Sequence, residues 1–476
     1  MALDAPVTEK VKSLPWQVEC LAKACSQNHF AIFMEQGLGK TKVAIERAYV
    51  LWDEGHITGV LVLALKGVHR QWVREQIPEH APKPYLTAEW PLKELPRNAV
   101  PGDKLVWFSM NIDAISASKH GFAMAEKFIK AHKGRVLMIV DESQTIKNYR
   151  SQRSKAARKL GAMTNRRMIM TGTPLAKSLE EEFSQLLWLD PAIVGINYIT
   201  VFRREYCVMG GFEGRQITGF RNLDRWRRIT EPYIYRFTKD QAGIEKKNYE
   251  RWPFDLTYAQ RNIMRDLKRG LAADIGSGLV TSAATAAIAC MRINQVASGF
   301  SVAEDGTAPH RLFDDPRKNP RIEALLEVIA ARPEKMLIWA RFRDDINQIM
   351  EVLPEGSAVR YDGSTSDKDR TIAIDRLRND PDTRFFVSNP RAGGTGLNLQ
   401  GTANLAVYYS HIDGPINRWQ SEDRIHRLGT VGIVDYIDLV AEGSLDKRIL
   451  KTYATGVALS EMALPEIRDL LLEENA

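Results

Sequence analysis

Cysteine is scarce in this 476-residue chain: Cys20, Cys25, Cys207 and Cys290 are scattered, with no CxxC pair among them. That pattern excludes a disulfide framework and a zinc knuckle, and predicts reduced, buried thiols. Long apolar runs are also missing. The longest, VLVLAL at 60–65 and VLMIV at 136–140, fall far short of the ~20 residues that cross a bilayer. The opening MALDAPVTEKVKS lacks the apolar stretch of a signal peptide. These absences lead to the expectation of a soluble, cytoplasmic protein with no membrane partner. Short-period repeats, low-complexity tracts and long Gly/Ser linkers are absent too, which predicts closely coupled domains.

What is present is a globular composition, 44% hydrophobic and 26% charged. The length is too great for one core and, at ~100–200 residues per domain, predicts two or three. With 66 Lys+Arg against 59 Asp+Glu the net charge is +7, which favours a polyanionic partner without identifying one.

Short runs rich in Val, Ile and Leu alternate with amphipathic stretches: AIFM (31–34), VLVLAL (60–65), LVWFS (105–109), RVLMIVD (135–141) and RRMIMTG (166–172). This rhythm predicts buried parallel strands joined by crossover helices. It returns in KMLIWAR (335–341), SAVRYDG (357–363), TRFFVSN (383–389), NLAVYYS (404–410) and VDYIDLV (434–440), so two α/β halves are expected. Between about 175 and 330 the pattern turns helical and basic, as in RRITEPYIYRFTKD and YAQRNIMRDLKRGLAADI, and predicts helical insertions. RWRR (225–228) reads more readily as a solvated helix face than as a nucleic-acid site.

Four elements carry chemistry. Gly37-Leu38-Gly39-Lys40-Thr41 follows one predicted strand and opens a helix, as a phosphate loop requires. Its glycines would let backbone N–H groups approach phosphate oxygens, Lys40 would reach the β- and γ-phosphates, and the Thr41 hydroxyl would ligate Mg²⁺. Met34 stands where the longer pattern has its first glycine. Asp141 and Glu142 end an apolar strand, where parallel sheets place ligands; Asp141 would hold Mg²⁺ and Glu142 would deprotonate the attacking water. Thr171-Gly172-Thr173-Pro174 ends the next strand, with hydroxyls able to reach Glu142 or the γ-phosphate. Arg424 and Arg427, three apart in QSEDRIHR, would share a helix face and neutralise charge on a transferred phosphoryl group. His426 between them is most simply a packing or hydrogen-bonding residue.

Together these motifs resemble the Swi/Snf-like branch of superfamily-two helicases, ATP-driven translocases on double-stranded DNA, in a compact form like that of bacterial or viral enzymes. The likeness runs from about Leu14 to Leu450. LPWQ (14–17) is similar to the adenine-recognition element, GLGKT to the first motif, LVLALKGVHRQWVREQ (61–76) to motif Ia with its Trp72, VDESQ (140–144) to motif II and TGTP to motif III. YIYRFTKD (233–240), FDLTYAQRNIM (254–264), CMRINQVASGF (290–300), NPRIEALLEVI (319–329), KMLIWARFR (335–343) and the run 388–430 resemble its second half. Gln144 stands where many relatives carry His, and Thr430 where Gln is usual.

The resemblance implies two RecA-like parallel-sheet lobes with helical insertions between them: an ATP-binding lobe at 1–235, a connector and protrusion at 236–318, and a helicase lobe at 319–476. It implies a monomeric DNA-dependent ATPase that hydrolyses ATP with Mg²⁺ between its lobes, moves along duplex DNA, and remodels forks, branches or bound proteins. The nucleotide would be held by Gln17, Gly37, Gly39, Lys40, Thr41 and Gln420, with coupling through Gln144, Thr171 and Thr173. DNA contacts would come from Lys66, Ser109, Arg341, Gly396 and Asn398, although Ser109 could equally cap a helix and Lys66 be solvated. A strand-separating or branch-migrating helicase is the alternative, with 206–220 as a pin or an ordinary hairpin; a non-catalytic DNA-binding scaffold is a further one. Since the motor takes up nearly the whole chain, targeting is expected from the motor, its insertions or a partner protein. The expected setting is a bacterial cell or a virus-infected host cell.

Overall fold

A computed structural model describes residues 12–172, 179–210, 216–244, 247–277, 279–280, 283–302, 309–393, 397, 399–412, 414–427, 429–455, 467–469 and 471. The chain forms two compact units, Met1–Gly243 and Ile244–Ala476. Among the described residues no helix is long and apolar enough to cross a membrane. Cys20, Cys207 and Cys290 are buried free thiols, whereas Cys25 is half-buried.

The first unit is built on β1 (His29–Met34), β2 (Gly59–Ala64), β3 (Tyr85–Glu89), β4 (Leu105–Asn111), β5 (Val136–Asp141), β6 (Arg166–Thr171), the hairpin β7 (Cys207–Gly210) and β8 (Gln216–Phe220), and β9 (Ile234–Phe237). Among the described residues seven of these make one sheet in the order β3-β4-β2-β5-β6-β1-β9, parallel throughout. β2 and β5 are buried at every position, which is why their sequences are continuous apolar runs: helices cover both faces of a parallel sheet. Phe33, Leu61, Phe108, Met138 and Ile169 pack with Phe128 and Ile129 of the helix Lys119–Ala131. The insertion joins the same core through Phe183, Phe202, Tyr206 and Trp226, with Phe183 stacked on Phe202 at 4.3 Å.

RRITEPYIYRFTKD departs from its helical expectation. Its start belongs to the helix Leu223–Thr230, but Ile234–Phe237 is strand β9, paired with β1 from Ala31↔Ile234 to Met34↔Phe237. Pro232 lacks the N–H a continuing helix needs, and the alternating Ile-Tyr-Arg-Phe suits an edge strand that leaves Arg236 toward solvent. A cut after 235 therefore falls inside this strand.

In the second unit β10 (Lys247–Phe254) is followed by a small pair, β11 (Phe300–Ser301) and β12 (His310–Arg311), then β13 (Met336–Trp339), β14 (Ala358–Tyr361), β15 (Phe385–Ser388), β16 (Leu405–Tyr408) and β17 (Val434–Ala441). The described sheet order is β10-β17-β16-β13-β15-β14, again parallel. Residues 247–318, expected from sequence as connector and helical protrusion of the second lobe, lie within this unit. β10 is an edge strand of this sheet, and the helices Tyr258–Gly276 and Ala283–Ala297 pack Met264, Leu271, Cys290 and Ile293 against Leu445, Ile449, Ile467 and Leu471.

Candidate active site

Three adjacent parallel strands of the first unit, β5, β6 and β1, end side by side, with Phe33 opposite Thr171 and Met170 opposite Asp141. From β1 the chain turns through Gly37 (φ 84°) and Gly39 (φ 86°) into the helix Lys40–Asp53. Only glycine fits at 39: its φ is left-handed, and a Cβ would stand 2.1 Å from Gln17 Nε2. The helix Pro15–Cys25 braces this loop, because Gln17 Nε2 and Trp16 Nε1 both donate to the Leu38 carbonyl, at 3.1 and 3.2 Å. Gln17 Oε1 accepts from the Leu14 amide at 3.0 Å, so the carboxamide is tied to its own chain. Lys40 Nζ donates to the carbonyls of Met34 (2.9 Å) and Glu35 (3.1 Å). Thr41 follows it in the first turn of the helix.

Facing the loop is a chain of amide and hydroxyl groups around two carboxylates. Asp141 is 8% exposed; its Oδ2 accepts from Trp72 Nε1 at 2.9 Å and its Oδ1 from the Glu142 amide at 3.0 Å. Burial, reinforced by the neighbouring Glu142, pushes its pKa up to about 6, against the opposing pulls of Trp72 and Lys40. Glu142 has left-handed backbone (φ 52°, ψ 60°), which costs a non-glycine residue on the order of 1 kcal/mol. Its Oε1 accepts from Gln36 Nε2 at 3.3 Å and its Oε2 from Gln144 Nε2 at 2.8 Å. Gln144 Oε1 in turn accepts from Thr171 Oγ1 at 2.8 Å. Thr171 thus reaches Glu142 through Gln144 rather than directly. Next to it, a Cβ on Gly172 would stand 2.2 Å from Gln36 Cγ and 3.2 Å from Lys40 Nζ, so the tip of β6 lies tightly against the loop. Thr173 is outside the described residues.

Gln36 and the role of Trp72 were missed from sequence. Gln36 directly precedes Gly37, a loop position with no pattern of its own, and Trp72 lies in a short π-helix, Trp72–Gln76, whose register no periodicity announces.

In the second unit the arginines correct one expectation. The helix Pro415–Glu422 stops before them, and residues 423–427 form turns, so Arg424 and Arg427 do not share a helix face. Each guanidinium folds back on the chain instead. Arg424 Nε donates to the Gln420 carbonyl at 2.9 Å and its Nη1 to the Leu397 carbonyl at 2.9 Å; Arg427 Nε donates to the Asp423 carbonyl at 2.7 Å. Burial lowers the pKa of Arg427, opposed by Asp423. The carbonyls left over at the helix end draw the guanidinium groups in. Gln420 and His426 are buried.

The DNA candidates divide. Lys66 is exposed in the turn after β2. Ser109 lies within β4, fully buried, its hydroxyl without a hydrogen-bond partner; enclosed by strands on both sides, it does not cap a helix. Arg341 is half-buried, with Nη1 donating to the His411 carbonyl at 3.3 Å. Gly396 and Asn398 lie outside the described residues.

Comparison with known proteins places this geometry in context. The profile of the SNF2-related domain matches residues 11–265, and that of the helicase conserved C-terminal domain residues 320–429. The chain is 26% identical to the probable ATP-dependent DNA helicase CHR12 of Arabidopsis thaliana, over 88% of this chain and 38% of that protein. It is 24% identical to the DNA annealing helicase and endonuclease ZRANB3 of Homo sapiens, over 92% of this chain and 39% of that protein. It therefore spans about two fifths of the length of these curated relatives. Among solved structures, the Sulfolobus solfataricus SWI2/SNF2 ATPase core in complex with dsDNA aligns over 98% of both chains, at 19% identity and a TM-score of 0.43.

Proposed function

This chain belongs to the SNF2-related family of ATP-dependent helicase-like enzymes, and from that premise we propose that it hydrolyses ATP in a DNA-stimulated cycle and moves along duplex DNA. Forks, branches or protein-bound duplex are the proposed substrates of that motion. The observation that carries the reading is the carboxylate pair at the tip of β5, joined through Gln36, Gln144 and Thr171 to the phosphate-loop strand and its neighbour.

Lys40 exchanges its two carbonyl partners for phosphate oxygens when nucleotide enters. Glu142, held at both oxygens by amide donors, accepts the proton of the attacking water as its oxygen bonds to the γ-phosphorus and the bond from that phosphorus to the β,γ-bridging oxygen breaks, releasing ADP. Gln144 and Thr171 fix that carboxylate and couple its position to the tip of β6. The site suits Mg²⁺: Thr41 and Asp141 offer hard oxygen donors, and Asp141 carries a buried negative charge that its own neutral donors leave undercompensated. When bound, the ion supplies positive charge to the phosphate oxygens. Gln17 and Gln420 are assigned to the nucleotide, and Arg424 and Arg427 to the charge that develops on the transferring phosphoryl group. Lys66 and Arg341 are assigned to backbone phosphates, which carry no sequence information and so suit a translocating motor.

The hairpin β7–β8 exposes Val208 and Met209, 43% and 41% accessible, which supports strand separation as the second reading. Steady-state ATP hydrolysis without nucleic acid, with single-stranded DNA, with blunt duplex and with a forked or four-way junction, at matched low salt, tests the motor reading, and unwinding of a forked substrate tests strand separation. Stimulation by plain duplex is expected. Stimulation confined to forks or junctions shifts the function to branch remodelling, and no stimulation by any of them removes the motor reading.

A further inference from the structure

The first strand of the second unit runs beside the segment that carries its two arginines. β10 pairs with β17, Lys247 opposite Val434 and Tyr249 opposite Tyr436. Lys247 Nζ donates to Glu422 Oε2 at 2.8 Å and to Asp423 Oδ1 at 3.1 Å, and lies 5.8 Å from the centroid of the Tyr436 ring. Tyr249 donates its hydroxyl to the same Glu422 Oε2 at 2.8 Å, with its ring stacked on Tyr436 at 5.4 Å. The other Glu422 oxygen accepts from Arg418 Nε at 2.6 Å, and its carbonyl accepts from the Tyr436 hydroxyl at 2.8 Å.

These contacts converge on the last residue of a helix and the first residue beyond it, and the arginines hang from the same main chain. The Asp423 carbonyl receives Arg427 Nε, and the Gln420 carbonyl receives Arg424 Nε. From the Lys247 ammonium to the Arg427 guanidinium the path is therefore one carboxylate and one peptide unit. A surface ion pair does not account for the arrangement. The Lys247 side chain is 18% exposed and that of Glu422 2%, and although burial opposes its charge, Asp423 and Glu422 hold Lys247 well above its usual range. Buried ion pairs of this kind contribute little net stability compared with apolar packing; what they supply is a defined geometry.

We propose that Lys247 and Tyr249 are positioning residues for Arg424 and Arg427: by gripping Glu422 and Asp423 they fix the turn that aims both guanidinium groups. The first strand after residue 244 thereby governs whether the arginine pair is in working order. This rests on the reading of Arg424 and Arg427 as the groups that neutralise phosphoryl charge.

The test is steady-state ATP hydrolysis by the full chain over a range of ATP concentrations, with saturating duplex DNA, for Lys247→Met, Lys247→Arg, Tyr249→Phe and the reference Arg427→Ala. Misaimed arginines act on the transition state, so Lys247→Met is expected to lower kcat about ten-fold or more, and Tyr249→Phe about three-fold, with KM for ATP changed by less than about two-fold. Lys247→Arg, which keeps the charge, is expected to recover most of the loss. Because Lys247→Met removes a buried cation and can cost the fold, Tyr249→Phe decides alone if that protein does not fold. A kcat within about two-fold of the parent in Tyr249→Phe and in any folded Lys247→Met, whatever their melting temperatures, overturns the proposal. If Arg427→Ala itself keeps the parental kcat, it is the reading of the arginines that fails, and the proposal with it.

Discussion

Asp141 and Glu422 are both buried carboxylates at the end of a regular element, and their surroundings drive them in opposite directions. Asp141 in the first unit is met by neutral donors, the Trp72 indole and the Glu142 amide, and burial together with Glu142 pushes its pKa up to about 6. Around Glu422 in the second unit, Lys247 and Arg418 overcome the pull of burial and hold the carboxyl below its usual range. Arg418 is itself tied to Asp438 and lies 3.4 Å from the centroid of the Tyr408 ring. Asp141 keeps a raised pKa in spite of Lys40, whereas Glu422 is hydrogen-bonded directly by two cations that also hold the shape of its turn.

The strongest way to break this contrast is to remove charge at the carboxylate beside Asp141. Glu142→Gln keeps the size of the side chain and one of its two acceptor oxygens but cannot take a proton. Turnover is expected to fall by about 10²–10⁴-fold, with ATP binding retained in an equilibrium titration. A variant hydrolysing ATP at the parental rate contradicts the assignment of the general base.

Neutralising Glu422 and Asp141 in turn sharpens the contrast, because the signs should differ. Glu422→Gln strips Arg418 and Lys247 of a buried partner and is expected to destabilise the protein by about 3–5 kcal/mol in urea denaturation. Asp141→Asn is expected to do the reverse. The folded pKa lies above the ordinary 3.8, so the native state holds the proton more tightly than the unfolded chain. The penalty for ionising Asp141 is absent below about pH 4, grows as pH rises and is complete above about pH 6. Removing it should stabilise the ligand-free protein by about 1–3 kcal/mol at pH 8 and leave it unchanged near pH 4, while abolishing turnover. Equal effects at the two pH values exclude this linkage.

Two smaller effects test the neutral donors. Gln144→Ala cuts the path from Thr171 to Glu142 and should lower kcat by about ten-fold with little change in KM for ATP. Trp72→Phe removes a hydrogen bond that favours ionised Asp141, so the pH dependence of the Asp141→Asn difference should move upward. A downward shift would contradict the contact's assigned direction.

The motifs themselves were legible from sequence because each depends on local chemistry. A glycine loop between strand and helix, paired carboxylates after an apolar run, and the strand rhythm of ten of the predicted segments all follow from residues adjacent in the chain. Less legible were β9 and β10. Both are edge strands with exposed, charged positions, Arg236 in one and Glu250 and Arg251 in the other, and neither shows the apolar run of a central strand. The helix expected through Arg424 and Arg427 failed for a related reason: three-residue spacing permits a shared face, but where a helix stops is decided by what satisfies its terminal carbonyls, here the arginines themselves. Ser109, expected at a strand tip, is buried because β2 and β3 close on either side of β4.

The order of residues alone determined that this chain holds parallel α/β units, a glycine loop between strand and helix and a carboxylate pair, since those signals are written within a few positions of one another. Only the tertiary structure decided that Gln36 and Gln144 hold Glu142, that Trp72 binds Asp141, and that Lys247 and Tyr249 grip the turn before Arg424. Each of those pairings is made by residues brought together by strand order and burial. The charge a buried group keeps depends on neighbours that are distant in sequence but close in the fold.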